Sequence, residues 1–295
     1  MTPQTIFRAL PQKDGTLVQL YGPWQLKSAF QPIFSLGLGQ VEIAGFEGLI
    51  RPFLAGRNLS PGFFFKNITK ADRFAIETLT RDLHMKNAAT LPVKNAMLFV
   101  NIDPSAFNNI LDVSAALSGI RRIWAKTGAS PSKLVCEITE QKCKTPALLY
   151  SLADAIKANG FKLAIDDYGS DHSDAERLAR LRPDIVKFDG RWVTRLLGTK
   201  AGYDLLKSMV AQFSGRGIET VFEGIEELWQ LELSEMTGTT FVQGFALARP
   251  EIAPTTFGRF IAPPQNLKQR EMQDALRDVC FTSVTPARSF RKYAA

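Results

Sequence analysis

Eight short β-prone runs, helical patterns between most of them, and one connection too short for a crossover predict the α/β class. The specific expectation is a TIM-like (β/α)8 barrel with one antiparallel strand. The runs fall at 30–36, 41–51, 96–102, 133–139, 162–168, 185–189, 219–224 and 239–247. Apolar spacing close to the helical repeat marks helices over 74–88, 147–158 and 201–213. Only Gly37-Leu38-Gly39-Gln40 separates the first two strands. A parallel pair needs a crossover of about a dozen residues or more, so these two must run antiparallel.

The ends read differently from the middle. Residues 1–22 are expected to form an irregular arm, punctuated by Pro3, Pro11, Gly15 and Gly22. The main domain spans 23–262 and closes on a helix near 253–260. Pro263-Pro264 then breaks the chain, and 263–295 form a partly helical tail with a basic end.

The composition of the 295 residues, 45% hydrophobic and 22% charged, is that of a globular protein. No apolar stretch is long enough for a membrane span, and the first residues lack a secretory apolar core. Three cysteines without zinc-type spacing read as reduced thiols, which predicts a cytoplasmic location. Two histidines are too few for a His-based metal centre, so any metal is held by oxygen. The net charge of +7 comes without a run of five or six basic residues, so no nucleic-acid polymer is expected as a partner.

What singles the chain out is the placing of its polar residues. Glu47, Asn101, Glu137, the pair Asp166-Asp167, Lys187 with Asp189, Glu223 and Gln243 all sit at or near the ends of these runs. Side chains from many strands converge at the carboxyl mouth of a parallel barrel, so the pattern predicts an active site there. Singly, each residue fits a solvated strand end. Jointly, so many carboxylates packed into one mouth would repel one another without cations, which argues for a cation site.

The ordered series FQPI at 30–33, EGLIR at 47–51, VNI at 100–102, EITE at 137–140, DDYG at 166–169, VKFD at 186–189, FEGIE at 222–226 and QGFALARP at 243–250 resembles the EAL-domain cyclic di-GMP phosphodiesterases. These bacterial enzymes open the cyclic dinucleotide to linear pGpG. The resemblance covers about residues 25–262. It implies two Mg2+ or Mn2+ ions. Glu47, Asn101, Glu137 and Asp166 would hold one, and Asp166, Asp167 and Glu223 the other. Lys187 would orient the attacking water and stabilise phosphoryl charge, and Glu223 would serve as general base. Gln31, Leu49, Arg51, Asp189 and Gln243 would face the substrate or support those that do. Glu140 would anchor the loop after Asp167. Cyclic di-GMP is the implied ligand, with a homodimer and a regulatory protein partner as implied assemblies.

Two departures stand out. Gly48 occupies the alanine position of the signature, and the size of the change predicts little effect. The loop Ser170-Asp171-His172-Ser173-Asp174 replaces a glycine-containing family loop and adds two carboxylates. That change bears on turnover more than on binding. A second reading therefore stays open: a cyclic di-GMP receptor with little hydrolysis that signals through a protein partner.

Overall fold

The computed structural model describes residues 7–37, 40–138, 145–169 and 175–259. A hairpin of β1 (Phe7–Pro11) and β2 (Leu17–Tyr21) leads into two long strands, β3 (Trp24–Gly37) and β4 (Gln40–Leu54), and the short β5 (Arg57–Asn58). Then come α1 (Pro61–Asn67), α2 (Lys70–Asn87), β6 (Met97–Ile102), α3 (Ile110–Ala125), β7 (Leu134–Ile138), α4 (Pro146–Ala158) and β8 (Lys162–Tyr168). The remainder is α5 (Ala175–Leu181), β9 (Ile185–Phe188), α6 (Gly190–Leu197), α7 (Lys200–Ser214), β10 (Glu219–Phe222), α8 (Leu228–Thr237), β11 (Phe241–Val242) and β12 (Glu251–Ile252). Among the described residues no helix is long and apolar enough to cross a membrane.

Eight strands close the barrel in the order β3-β11-β10-β9-β8-β7-β6-β4, with β4 returning to β3. β3 is antiparallel to both neighbours, whereas β4, β6, β7, β8, β9, β10 and β11 run parallel in sequence. The reversed strand deduced from the four-residue connection is therefore β3. Inside the barrel, Ile33, Met97, Phe99, Val135, Ala164, Ile185, Val221 and Phe241 form an apolar plug. Outside it, a larger core packs the helices on the sheet, with Phe46, Val100, Cys136, Val186, Phe188 and Phe222 facing outward. Cys136 accordingly points away from the interior, and burial pushes its thiol up to about 12.

Three expectations about the ends of elements are corrected. The first 22 residues are not wholly irregular, because their turn residues punctuate a hairpin. Asp14 Oδ1 accepts from Thr16 N at 2.9 Å and Thr16 Oγ1 at 2.6 Å, and β1 and β2 pair across that turn. The hairpin is tied down by α2, where Asn87 accepts from Leu17 N at 2.7 Å and donates to Leu17 O at 2.9 Å. The helix expected near 253–260 is instead β12 and a single 3-10 turn at Phe257–Arg259. The long β3 has an edge that β11 leaves open, and β12 takes it by pairing Glu251 with Phe30 and Ile252 with Ala29. The last barrel strand is only Phe241–Val242, because at Gly244 the chain passes so close to Ile225 that an added Cβ would lie 2.0 Å from its carbonyl oxygen. The tail, including the helix expected within it, lies outside the described residues.

α2 carries a buried polar cluster that gives a pH prediction. His84 Nδ1 lies 2.8 Å from Ser28 Oγ, which also accepts from Asn87 Nδ2 at 3.0 Å. Burial, with the charges of Arg51 and Arg81, lowers the imidazole pKa to about 3. The unfolded chain takes up this proton as pH falls through its ordinary value near 6.5, and the folded chain does not until about 3. His84 therefore supports stability above that ordinary value and opposes it progressively below. Between pH 7 and 5 the parent should lose stability faster than His84→Gln, by about 1.4 kcal/mol per pH unit once below 6.5. Urea melts across that range check the slope, and parallel slopes would show that His84 is not held neutral.

Candidate active site

The strand pleat places the polar residues. A side chain two positions along a strand returns to the same face. Moving two residues toward the carboxyl mouth from the plug gives Glu137 from Val135, Asp166 from Ala164, Lys187 from Ile185, Glu223 from Val221 and Gln243 from Phe241. On the reversed β3 the same step runs backward, from Ile33 to Gln31, and Gln31 is in register with Glu47 on β4. A polar ring thus lies directly on the apolar plug. Gln31, Glu47, Asp166, Asp167, Lys187 and Glu223 line a cavity of about 350 Å³, joined by Gly224, Glu226, Gln243, Gly244 and Phe245.

Lys187 is the centre of this ring. Its side chain is 1% exposed, and Nζ lies 2.7 Å from Glu137 Oε1, 2.7 Å from Glu223 Oε1, 3.0 Å from Asp166 Oδ1 and 3.8 Å from Glu47 Oε2. Burial works against the ammonium charge, but Asp166, Glu137, Glu223 and Glu47 outweigh it and hold Lys187 well above the usual lysine range. One cation among so many carboxylates leaves proton affinity high on the acids. Burial raises Glu137 well above the usual carboxylate range, and it pushes Glu223 up to about 8. Burial, with Asp166 beside it, also raises Asp167.

Asp166 and Asp167 are adjacent, so a regular strand would send them to opposite faces. An irregularity in the β8–β9 register between Ile165 and Tyr168 avoids this, with Asp167 in the left-handed region at φ 57°. As a result Asp166, Asp167 and Glu223 each offer an oxygen within 4.8 Å of the others. Glu223 is set by a close crossing of backbones: a Cβ at Gly190 would lie 2.8 Å from Gly224 Cα, so both positions need glycine. Glu47 is set by Gln243, whose Nε2 donates to Glu47 Oε2 at 2.7 Å.

The donor set fits hard divalent cations. It is made of carboxylate oxygens, and both Glu137 oxygens and Asp166 Oδ1 are buried without a partner in hydrogen-bonding geometry, although Lys187 is near them in distance. Glu137 lies fully buried and does not line the cavity, whereas Asp166, Asp167 and Glu223 do, and their oxygens suit a divalent cation.

Not every expected residue shares this cavity. Leu49, Arg51 and Asn101 line a neighbouring cleft of about 310 Å³ together with Gly48, Phe65, Arg73, Glu77, Arg81, His84 and Asp103. Asn101 is exposed and stands in register beside Glu137. Asp189 caps α6, accepting from Trp192 N at 2.9 Å. Glu140, Asp171, His172 and Asp174 lie outside the described residues. Glu226 and Phe245 were missed, although both sit inside quoted runs. Arg81 and His84 were missed too. Their signal was polar side chains on the buried face of α2, at the spacing reserved for core residues.

A barrel closed by one reversed strand, with carboxylates and a buried lysine over an apolar plug, defines a (β/α)8 barrel with an acidic cluster at its carboxyl mouth. The chain belongs to the EAL domain family, whose model matches residues 23–250. Cyclic di-GMP phosphodiesterase PdeB of Shewanella oneidensis is 28% identical over 84% of this chain and 29% of its own length. Probable cyclic di-GMP phosphodiesterase PdeA of Escherichia coli is 30% identical over 45% of this chain and 18% of its own. The chain spans at most 30% of the length of the first curated relatives it matches. Among solved structures, the manganese and cyclic di-GMP complex of Klebsiella pneumoniae BlrP1 at pH 9.0 superposes with a TM-score of 0.69 at 25% identity, over 84% of this chain and 60% of that one. Bacillus subtilis YkuI shares the fold at 22% identity and a TM-score of 0.67, over 86% and 61%.

Proposed function

We propose that the chain hydrolyses cyclic di-GMP to linear pGpG at the barrel mouth. The observation that carries the reading is the polar ring two residues above the plug, with Lys187 within 3.0 Å of three carboxylates. Family membership and the relatives' named activity support it. Glu47, Asn101, Glu137 and Asp166 would hold one Mg2+ or Mn2+ ion, and Asp166, Asp167 and Glu223 the other. Such ions neutralise phosphoryl oxygens and make a bound water more acidic. The Lys187 ammonium faces the developing phosphoryl charge and orients the attacking water. Glu223 would also serve as general base toward the attacking water. Gln31 and Gln243 fix the ligand at the mouth, while Leu49 and Arg51 engage the part that reaches the neighbouring cleft. Asp189 supports the mouth from the start of α6, and Glu140 anchors the following loop. The reading extends to a cytoplasmic homodimer working with a regulatory protein.

Binding is tested apart from chemistry by titrating the protein with cyclic di-GMP in Ca2+, which fills oxygen sites with less demanding geometry. Saturable heat, displaced by pGpG, is the expected result. No heat and no competition would defeat the reading.

A further inference from the structure

Gly48 follows Glu47 on β4 and therefore faces the opposite way, outward against α2. A Cβ built at Gly48 would lie 3.0 Å from His84 Cβ, 3.0 Å from Cγ and 3.2 Å from Cδ2. Gly48 has no left-handed backbone, so conformation alone would allow alanine there. Contacts this short require one side to give way, and His84 is held from behind. It is 5% exposed, its Nδ1 is 2.8 Å from Ser28 Oγ, and its ring meets Phe30 edge-on with centroids 6.4 Å apart. Ser28 is itself gripped by Asn87, which also holds the hairpin through Leu17. With His84 held in this way, relief of the contact is expected to come from β4 shifting by a few tenths of an ångström away from α2, toward the mouth.

We propose that Gly48 and His84 are a matched positioning pair that sets where β4 holds the Glu47 carboxylate. The proposal rests on the reading of Glu47 as a metal ligand. Displacing β4 carries Glu47 out of the place where its Oε2 accepts from Gln243 at 2.7 Å and lies 3.8 Å from Lys187. Writing alanine at 48, as the family signature has it, therefore harms this chain. Ordinary expectation runs the other way, since Gly→Ala at a compatible backbone restricts the unfolded chain and stabilises the folded one.

The test is a double-substitution cycle read by Mn2+ calorimetry well below the melting temperature of every variant. Gly48→Ala is expected to weaken Mn2+ binding about tenfold, the effect of a typical overpacking cost transmitted to a ligand. His84→Gly removes both the Cβ and the ring that meet the new methyl. Gly48→Ala with His84→Gly should therefore bind Mn2+ nearly as well as His84→Gly alone. Gly48→Ala binding as tightly as the parent would overturn the proposal, as would strictly additive losses in the double variant. If Gly48→Ala fails to fold, a folded, Mn2+-binding double variant supports the pairing, and a double variant that also fails overturns it. A parent that binds no Mn2+ defeats the metal reading itself and this proposal with it.

Discussion

Lys187→Met is expected to lower pGpG formation about a thousandfold and to destabilise the metal-free protein. The first effect follows from removing the buried ammonium placed against the carboxylates of the mouth, where charge would develop on the substrate; losing a single such donor costs about 10²–10³ in rate. The second follows from burial. Lys187 and Glu137 are 1% and 0% exposed, and removing one partner of a buried pair leaves an uncompensated charge at about 3–5 kcal/mol. The carboxyls can relieve part of this by taking protons, so the lower end of that range is expected. Mn2+ should restore much of the lost melting temperature, because divalent charge replaces the ammonium among the same oxygens. Thermal melts with and without Mn2+ check this. An unchanged metal-free melting temperature would show that Lys187 does not hold the cluster together.

Glu47→Ala has the opposite signature. It is expected to reduce Mn2+ affinity by at least about 10–100-fold, the usual cost of losing even a residue that supports a ligand. Turnover falls with it. Yet the metal-free protein should be no less stable than the parent, because the change removes one negative charge from a site crowded with them. The hydrogen bond from Gln243 at 2.7 Å is lost, but both groups sit at the cavity, where water can replace it. Calorimetry and melts together separate the two residues. Equal loss of Mn2+ binding in Lys187→Met and Glu47→Ala would mean that their roles are misassigned.

Much of the fold was legible because strand-end chemistry and strand position coincide. A run such as LVCEI on β7 carries its plug residue, its outward cysteine and its carboxylate in strict alternation, and the structure keeps that alternation. The reversed β3 was legible from loop length alone. The failures have physical causes too. A helix is expected near 253–260, yet the described residues there hold only the 3-10 turn Phe257–Arg259, and the preceding Glu251 and Ile252 go to the open edge of β3, which no local pattern announces. The surroundings of Gly48 were not legible, since the size of a residue says nothing about what faces it, here the ring of His84. Asp189 reads as one more mouth carboxylate in sequence, but its position immediately before α6 makes it a helix cap. Leu49, Arg51 and Asn101 belong to the adjoining cleft because β4 and β6 open there toward α2, a tertiary fact outside any one segment.

The central claim is hydrolysis at the ring around Lys187. Its most direct test is to incubate the purified chain with cyclic di-GMP and Mn2+ and to follow pGpG by chromatography. The account predicts that pGpG appears, that chelation with EDTA stops it, and that Lys187→Met does not form it at a comparable rate. Binding of the dinucleotide with no pGpG from the parent protein would contradict the account and make the chain a receptor.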